Sequence, residues 1–327
     1  MIAKQNIQFQ KLIAVTGVIL FAIKLLAWYL THSLSVLTDA LESIVNVITG
    51  FIGLYSLYLS ARPRDQNHPY GHGKVEFVSA AIEGTMITIT GLIIIYKAIS
   101  GFNHPNEIHE VDYGIILVSI TAVINYFLGF SAVQQGKKNN SAALMATGKH
   151  LQSDTYTTLG IVLGLTLIYF TDLLWLDNAM AIVFAGIIIF TGFRIIRSSL
   201  AGIMDESDTE QLKKVVELLQ EKRKENWIDL HNLRLIKFGR TLHLDCHLTV
   251  PWYLNVNEAH QEVDSVEKLV RDKFGESVEL FIHTDGCVDF SCKVCTKSDC
   301  TVRQHAFVKR IDWTLDNAYQ NNKHRLD

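Results

Sequence analysis

The chain predicts a membrane all-α domain of six helices followed by a cytoplasmic α+β module, and three observations carry that expectation. Nearly half of the 327 residues (49%) are hydrophobic, and mean hydropathy is positive at +0.19. Long apolar runs at roughly 20 residues each account for about six bilayer crossings. Charged residues are sparse before Met204 and dense after it, so the net charge of −3 hides two unlike halves. Between the spans, Lys and Arg fall only in alternate connections.

The spans read as 12–30, 34–59, 77–100, 112–134, 151–171 and 176–197. Lys4 and Lys11 precede or open the first, and Arg62, Arg64 and Lys74 lie between the second and third. Lys137, Lys138 and Lys149 lie between the fourth and fifth, and Arg194 and Arg197 close the sixth. The intervening connections, around Thr31–Ser33, Phe102–Val111 and Thr171–Leu176, hold no Lys or Arg. The positive-inside rule then puts both termini in the cytoplasm. Residues 1–11 form an N-terminal segment and 12–200 the membrane domain. No cleavable signal is evident, because the first apolar run passes straight into the second. No nucleic-acid partner is expected.

After Met204 the pattern is that of a soluble module, 201–286. Thr209–Glu225 is an amphipathic helix with Leu212, Val215, Val216 and Leu219 on one face. "HNLRLIKFG" and "RTLHLDCHLTV" alternate with period two around Gly239–Arg240, as a hairpin does. Val256–Phe274 is a second helix and "SVELFIHTD" a third strand. The order α-β-β-α-β gives a metallochaperone-like layer with one sheet face covered. A Cys-rich tail, 287–327, follows.

"SLSVLTDALESIVNVITG" raises the chemical question. An ionisable group in hydrocarbon costs roughly 2.5–3.5 kcal/mol on insertion scales, so it marks a pathway or a paired site. Glu42 and Asn46 are four residues apart in the second span, as are His150 and Asp154 in the fifth. At that spacing each pair presents two donors on one helix face. Facing each other, the two helices offer one imidazole and three oxygen-bearing groups, a set suited to a divalent transition ion. The competing reading is a packing network in which Lys24 neutralises Asp39 or Glu42. Counting from the external turns leaves Asp154 about 12 Å deeper than Glu42, a gap that tilt or unequal length must absorb.

Further donor sets lie outside the bilayer. The linker "RPRDQNHPYGHGKVE" holds Asp65, His68 and His72, either a metal site or a solvated turn. Strand alternation puts His243, Asp245 and His247 on one face and buries Cys246 on the other. His231 opens the first strand, His260 lies on the second helix, and His283 and Asp285 share one face of the last strand; such donors suggest zinc-type sites or, alternatively, histidines scattered over a solvated face. Cys287, Cys292, Cys295 and Cys300 have the spacing C-x4-C-x2-C-x4-C, for which a closed zinc site leads over a metal sensor or a redox pair.

With these residues assembled, the chain from about Lys11 to Asp285 resembles the cation diffusion facilitators, proton-coupled exporters of divalent metals. "SLSVLTDALESIVN" is similar to their second-helix signature, "HLQSD" to the fifth and "DQNHPYGHGK" to the linker. "HNLR", "DCHL", "NEAH" and "IHTD" match places where members bind a zinc pair, which implies His231, His247, His260, His283 and Asp285 as its ligands. The resemblance implies a multi-pass cell (inner or plasma) membrane protein that exchanges cytoplasmic metal for protons by alternating access. It also implies a homodimer through the soluble domain, and a Lys74–Asp208 salt bridge joining the domains. Zn²⁺ is expected first, as cargo and as structural or regulatory ion, with Fe²⁺, Co²⁺, Mn²⁺ and Cd²⁺ as competitors. The chain departs from zinc exporters in having Glu42 for their Asp or His and Asn46 for their Asp. The Cys tail lies outside the family pattern. A membrane-anchored metal sensor and a thiol redox protein are the rival classes. No catalytic residue is expected.

Overall fold

The computed structural model describes residues 2–31, 34–101, 111–171, 175–239, 241–275 and 278–326. They divide into two compact units, Met1–Met204 and Asp205–Asp327.

Among the described residues the first unit is helical throughout. Its long helices are α1 (Ile2–Thr31), α2 (Leu34–Ser60), α3 (Val75–Gly101), α4 (Val111–Lys138), α5 (Ala142–Thr171) and α6 (Trp175–Ile203). The shortest has 27 residues, about 40 Å at 1.5 Å per residue, more than the roughly 30 Å of a hydrocarbon core. Among the described residues, stretches long and apolar enough to cross a membrane run over Lys4–Leu26, Val75–Ser100 and Ala185–Ile203, with a shorter one at Asn46–Ser60. Helix α5 carries His150, Ser153, Asp154, Thr155 and Thr158, and all five are buried.

Burial is inverted relative to a water-soluble bundle. Leu26, Phe51, Tyr96, Phe127 and Phe190 face outward, whereas Gln10, Glu76, Glu83 and His150 are buried. Lipid solvates the apolar surface, so the helices must satisfy their polar groups on one another. Close approach is built with glycine. A Cβ on Gly148 of α5 would stand 2.8 Å from the Gly129 carbonyl of α4, so these helices meet backbone to backbone beside His150. The α4–α5 break is a left-handed cap at Asn140 (φ 51°), with Ser141 N–H bonded to the Gly136 carbonyl at 2.9 Å.

In the second unit, Asp208 caps α7 (Thr209–Glu221), and Asn255 caps α8 (Val256–Phe274) in a reciprocal box with Glu258. Strands β1 (Asp229–Phe238), β2 (Thr241–Val250) and β3 (Val278–Gly286) form a sheet in the order β1-β2-β3. β1 and β2 are antiparallel; β2 and β3 are parallel, joined through α8. A register shift between His231 and Arg234, with Asn232 at φ 52°, breaks the alternation read from sequence along β1.

The helices bury Val215, Val216, Leu219, Val266 and Val270 against Leu230, Leu235, Leu244 and Leu248. The segment beyond β3 joins this core. It has a 3-10 turn at Asp289–Lys293, a short helix α9 (Leu315–Ala318) and a buried Trp313 beneath the Arg223 guanidinium, 4.0 Å from the ring centre.

Candidate metal centres

Helices α2 and α5 bring three of the four expected membrane ligands together. The Asn46 amide bridges the other two: its nitrogen donates to Asp154 Oδ2, and its oxygen lies 2.6 Å from His150 Nε2, which donates to it. His150 and Asp154 are buried, at 4% and 8% exposure. His150 Nδ1 has no hydrogen-bond partner among the described residues. Glu42 lies on α2 one turn before Asn46, but its side chain, like that of Asp39, is outside the described residues. Ser43, Asn46, Thr49, Asn125, Thr147 and His150 help line one recess.

Beside this recess lies a polar knot that sequence patterning missed. The Thr147 hydroxyl donates to Glu83 of α3, at 3.0 and 3.1 Å from the two carboxyl oxygens. Gln10 of α1 donates to Thr147 Oγ1 at 3.4 Å and to the Gly50 carbonyl at 3.1 Å. Glu83 and Gln10 are fully buried. The available signal was a carboxylate alone in an apolar helix, "AAIEGTMITIT". Nearer the linker, Ser60 and Ser141 donate to the two oxygens of buried Glu76 at 2.7 and 2.6 Å.

In the linker, Asp65 gathers both histidines. His68 Nδ1 is 3.0 Å from Oδ1 and His72 Nε2 is 3.3 Å from Oδ2. The His68 backbone N–H, 2.7 Å from Oδ1, leads the effects holding the Asp65 carboxyl below its usual range. Ligand atoms from all three residues lie within 4.8 Å of one another.

The sheet aligns three imidazoles. His231 of β1 is in register with His247 of β2, and His247 with His283 of β3. Asp285 Oδ2 lies 3.0 Å from His247 Nδ1 and 3.6 Å from His231 Nε2, while Oδ1 lies 3.6 Å from His283 Nε2. His231, His247 and Asp285 also meet the 4.8 Å condition, so their donors fit a zinc-type ion. His260 is exposed on α8, with Nε2 3.5 Å from Asp264 Oδ1. Behind His231, Asp229 lies 3.3 Å from its Nδ1 and also accepts from His324, two partners the sequence reading did not name. Burial would raise the Asp229 carboxyl; hydrogen bonds from His231 and His324 outweigh it and hold it well below the usual range. Cys246 is a core residue, its thiol pushed up to about 12 by burial.

Lys74, before α3, donates to the Ile203 carbonyl at 3.5 Å. Asp208 lies 3.9 Å from Lys237 Nζ.

Residues 11–204 match the cation efflux transmembrane domain, and residues 207–287 match the cation efflux protein cytoplasmic domain. The chain belongs to the cation diffusion facilitator family. It is 26% identical to the cation-efflux pump FieF of Shewanella oneidensis, covering 83% of this chain and 90% of that protein. It is also 26% identical to the manganese efflux system protein MneS of Bacillus subtilis, covering 78% and 87%. Identity to a cadmium, cobalt and zinc/H(+)-K(+) antiporter of Bacillus velezensis is 24%, covering 80% and 82%. This facilitator is therefore a membrane transporter of divalent metal cations, not an enzyme. Among the described residues its matched domains contain all three histidine- or amide-bearing clusters above, while Cys292, Cys295 and Cys300 lie beyond the second match.

Proposed function

We propose that this facilitator carries a divalent transition metal, Zn²⁺ first and Fe²⁺, Co²⁺, Mn²⁺ or Cd²⁺ as competitors, out of the cytoplasm in exchange for protons. The ion would bind Glu42, Asn46, His150 and Asp154 and leave by alternating access. The supporting observation is the Asn46 bridge to His150 and Asp154, which puts an imidazole nitrogen, an amide oxygen and a carboxylate from two helices in one buried place. With no ion, these donors satisfy one another. A cation would take the lone pair of His150 Nε2: from an imidazolium this releases one proton, from the neutral ring the proton passes to Nδ1, and a proton returning from outside would compete with the ion for that nitrogen.

The neutral Asn46 gives the site less negative charge than an aspartate would, consistent with a broad or softened preference. Relatives named for manganese and for cadmium, cobalt and zinc span that same range. A membrane-anchored sensor would need the soluble clusters but not the buried set.

Around this path we assign supporting roles. Asp65, His68 and His72 would gather metal at the cytoplasmic linker. His231, His247, His260, His283 and Asp285 would hold resident metal that tightens a homodimer, with Lys74–Asp208 coupling the domains. Both termini would face the cytoplasm from the inner or plasma membrane.

The test is uptake into sealed proteoliposomes under a pH gradient, across Zn²⁺, Fe²⁺, Co²⁺, Mn²⁺ and Cd²⁺. We expect saturable uptake of at least one ion with opposite proton flow. Absence of counter-moving protons with all five would overturn the exchange reading.

A further inference from the structure

The segment that follows β3 lies beyond the second matched domain, which ends at its first residue, Cys287, and its four thiols gather at one recess. Cys287, Cys292, Cys295 and Cys300 line one recess together with Lys297 and Arg303. All four are free, and Cys295 is buried. The other three are near enough to bear electrostatically on the Cys287 sulfur.

The loop is held as a built site. Cys287 is fixed to the end of β2 by its N–H to the Val250 carbonyl at 2.9 Å. The Arg303 guanidinium donates to the carbonyls of Cys292, Cys295 and Lys297 at 2.8, 3.1 and 2.6 Å, tying the C-x2-C turn from outside. The Gln304 N–H is 3.4 Å from Cys292 Sγ and donates to it, a contact that favours a thiolate.

We propose that these four cysteines form a further metal site, a closed tetrahedral thiolate site for Zn²⁺ or Cd²⁺ that is separate from the transport path. Four thiols and one divalent ion give a tetrathiolate complex of charge −2 and four released protons. Arg303 supplies a positive charge at the same recess, and Lys297 beside it is paired with Asp299 at 2.9 Å. The sulfurs stand wider apart than the ligand atoms of the Asp65 and Asp285 clusters, so the ion draws them in to about 2.3 Å each. Soft thiolate selects Zn²⁺ and Cd²⁺ over Mn²⁺, and four protein ligands leave no open position for exchange. The role is therefore structural: the site clasps the start of a segment whose later residues, including Trp313, enter the soluble core.

The test uses the full chain, purified in detergent under reduction. A mercurial added stepwise to wild type releases one Zn²⁺ per chain as four thiols react, read with a colorimetric chelator. After Co²⁺ substitution, sulfur-to-cobalt charge-transfer bands appear; Cys292→Ser abolishes them and His247→Ala leaves them intact. Sulfur bands do not report on the nitrogen and oxygen sites, so they stand or fall independently of flux. Absence of thiol-linked zinc and of sulfur bands in reduced wild type would overturn the site. So would a thiol count in denaturant, on protein isolated without reductant, that is short by two or four, which would make the cysteines disulfide partners instead.

Discussion

The membrane cluster and the sheet cluster use similar donors but treat them oppositely. In the bilayer unit, Asn46 binds both of its partners, and His150 and Asp154 are almost wholly buried. On the sheet, exposure rises along the row: the His231, His247 and His283 side chains are 4%, 32% and 66% exposed around a single carboxylate. Hydrocarbon offers no water to cover an emptied site, so membrane donors must pair internally whenever the ion has left. The sheet cluster can fall back on water. A site that must empty on every cycle gains from ready internal partners, and one that keeps its ion has no such need.

The sharpest way to break that contrast is Asp154→Ala. Losing even an outer partner of a metal ligand costs about 10- to 100-fold, so removing a direct oxygen donor should cut uptake below about one hundredth of wild type. Retained elution as a folded species in detergent would show that the fold survives. Unchanged uptake would place the ion path elsewhere.

Asn46→Asp sharpens the same site. It adds a negative charge but loses the amide nitrogen that donates to Asp154. Without an ion, two carboxylates then face each other, so the empty site is less stable and the filled one more so. Metal should bind about tenfold more tightly, by analogy with charge-count tuning of other cation sites, and turnover should slow as release becomes limiting. Equilibrium binding and initial uptake rates on one preparation separate the two effects.

These candidate ligands stood out because His150 with Asp154, and Glu42 with Asn46, form spaced pairs on otherwise apolar helices. The meeting of the two helices was less so. Depth counted from the external turns left a gap of about 12 Å. From the opposite ends, Asn46 stands 14 residues before Ser60 and Asp154 12 residues after Ala142, a difference of about 3 Å in rise. The larger figure sets Asp154 against Glu42, whereas the hydrogen bond joins it to Asn46, one turn further in, and α5 begins nine residues before the expected 151.

Glu83 escaped notice because its partner, Thr147, lies 64 residues away and no local spacing links them. The donors of the imidazole row could be named from sequence, but their adjacency could not. Alternation assigns faces, but only the parallel pairing of β2 with β3 puts His247 beside His283. The soluble helices and strands were readable from their apolar faces.

Glu83 offers a smaller effect that tests whether internal pairing is general to the bilayer unit. Glu83→Ala leaves the Thr147 hydroxyl without this acceptor, and stranding a buried polar group costs about 1–3 kcal/mol. Thermal unfolding in detergent should register that loss. Glu83→Gln keeps an acceptor for Thr147 and should recover most of it. Equal loss in both variants would mean that the charge, not the hydrogen bond, is what α3 contributes.

The least effect on flux should come from His247→Ala, and here the contrast makes its subtlest claim. Without metal, the His247–Asp285 pair is partly exposed and, like other such pairs, contributes at most about 1 kcal/mol. With metal it becomes part of a linked equilibrium, since an ion at 100 times its dissociation constant stabilises the fold by about 2.7 kcal/mol. His247→Ala should therefore unfold close to wild type after chelation, lose most of the zinc-induced stabilisation, and keep uptake within about twofold at saturating metal. If uptake instead fell as far as in Asp154→Ala, the sheet cluster would have to belong to the transport cycle. The exposure difference between the two clusters would then reflect only where each sits, not how often each must empty.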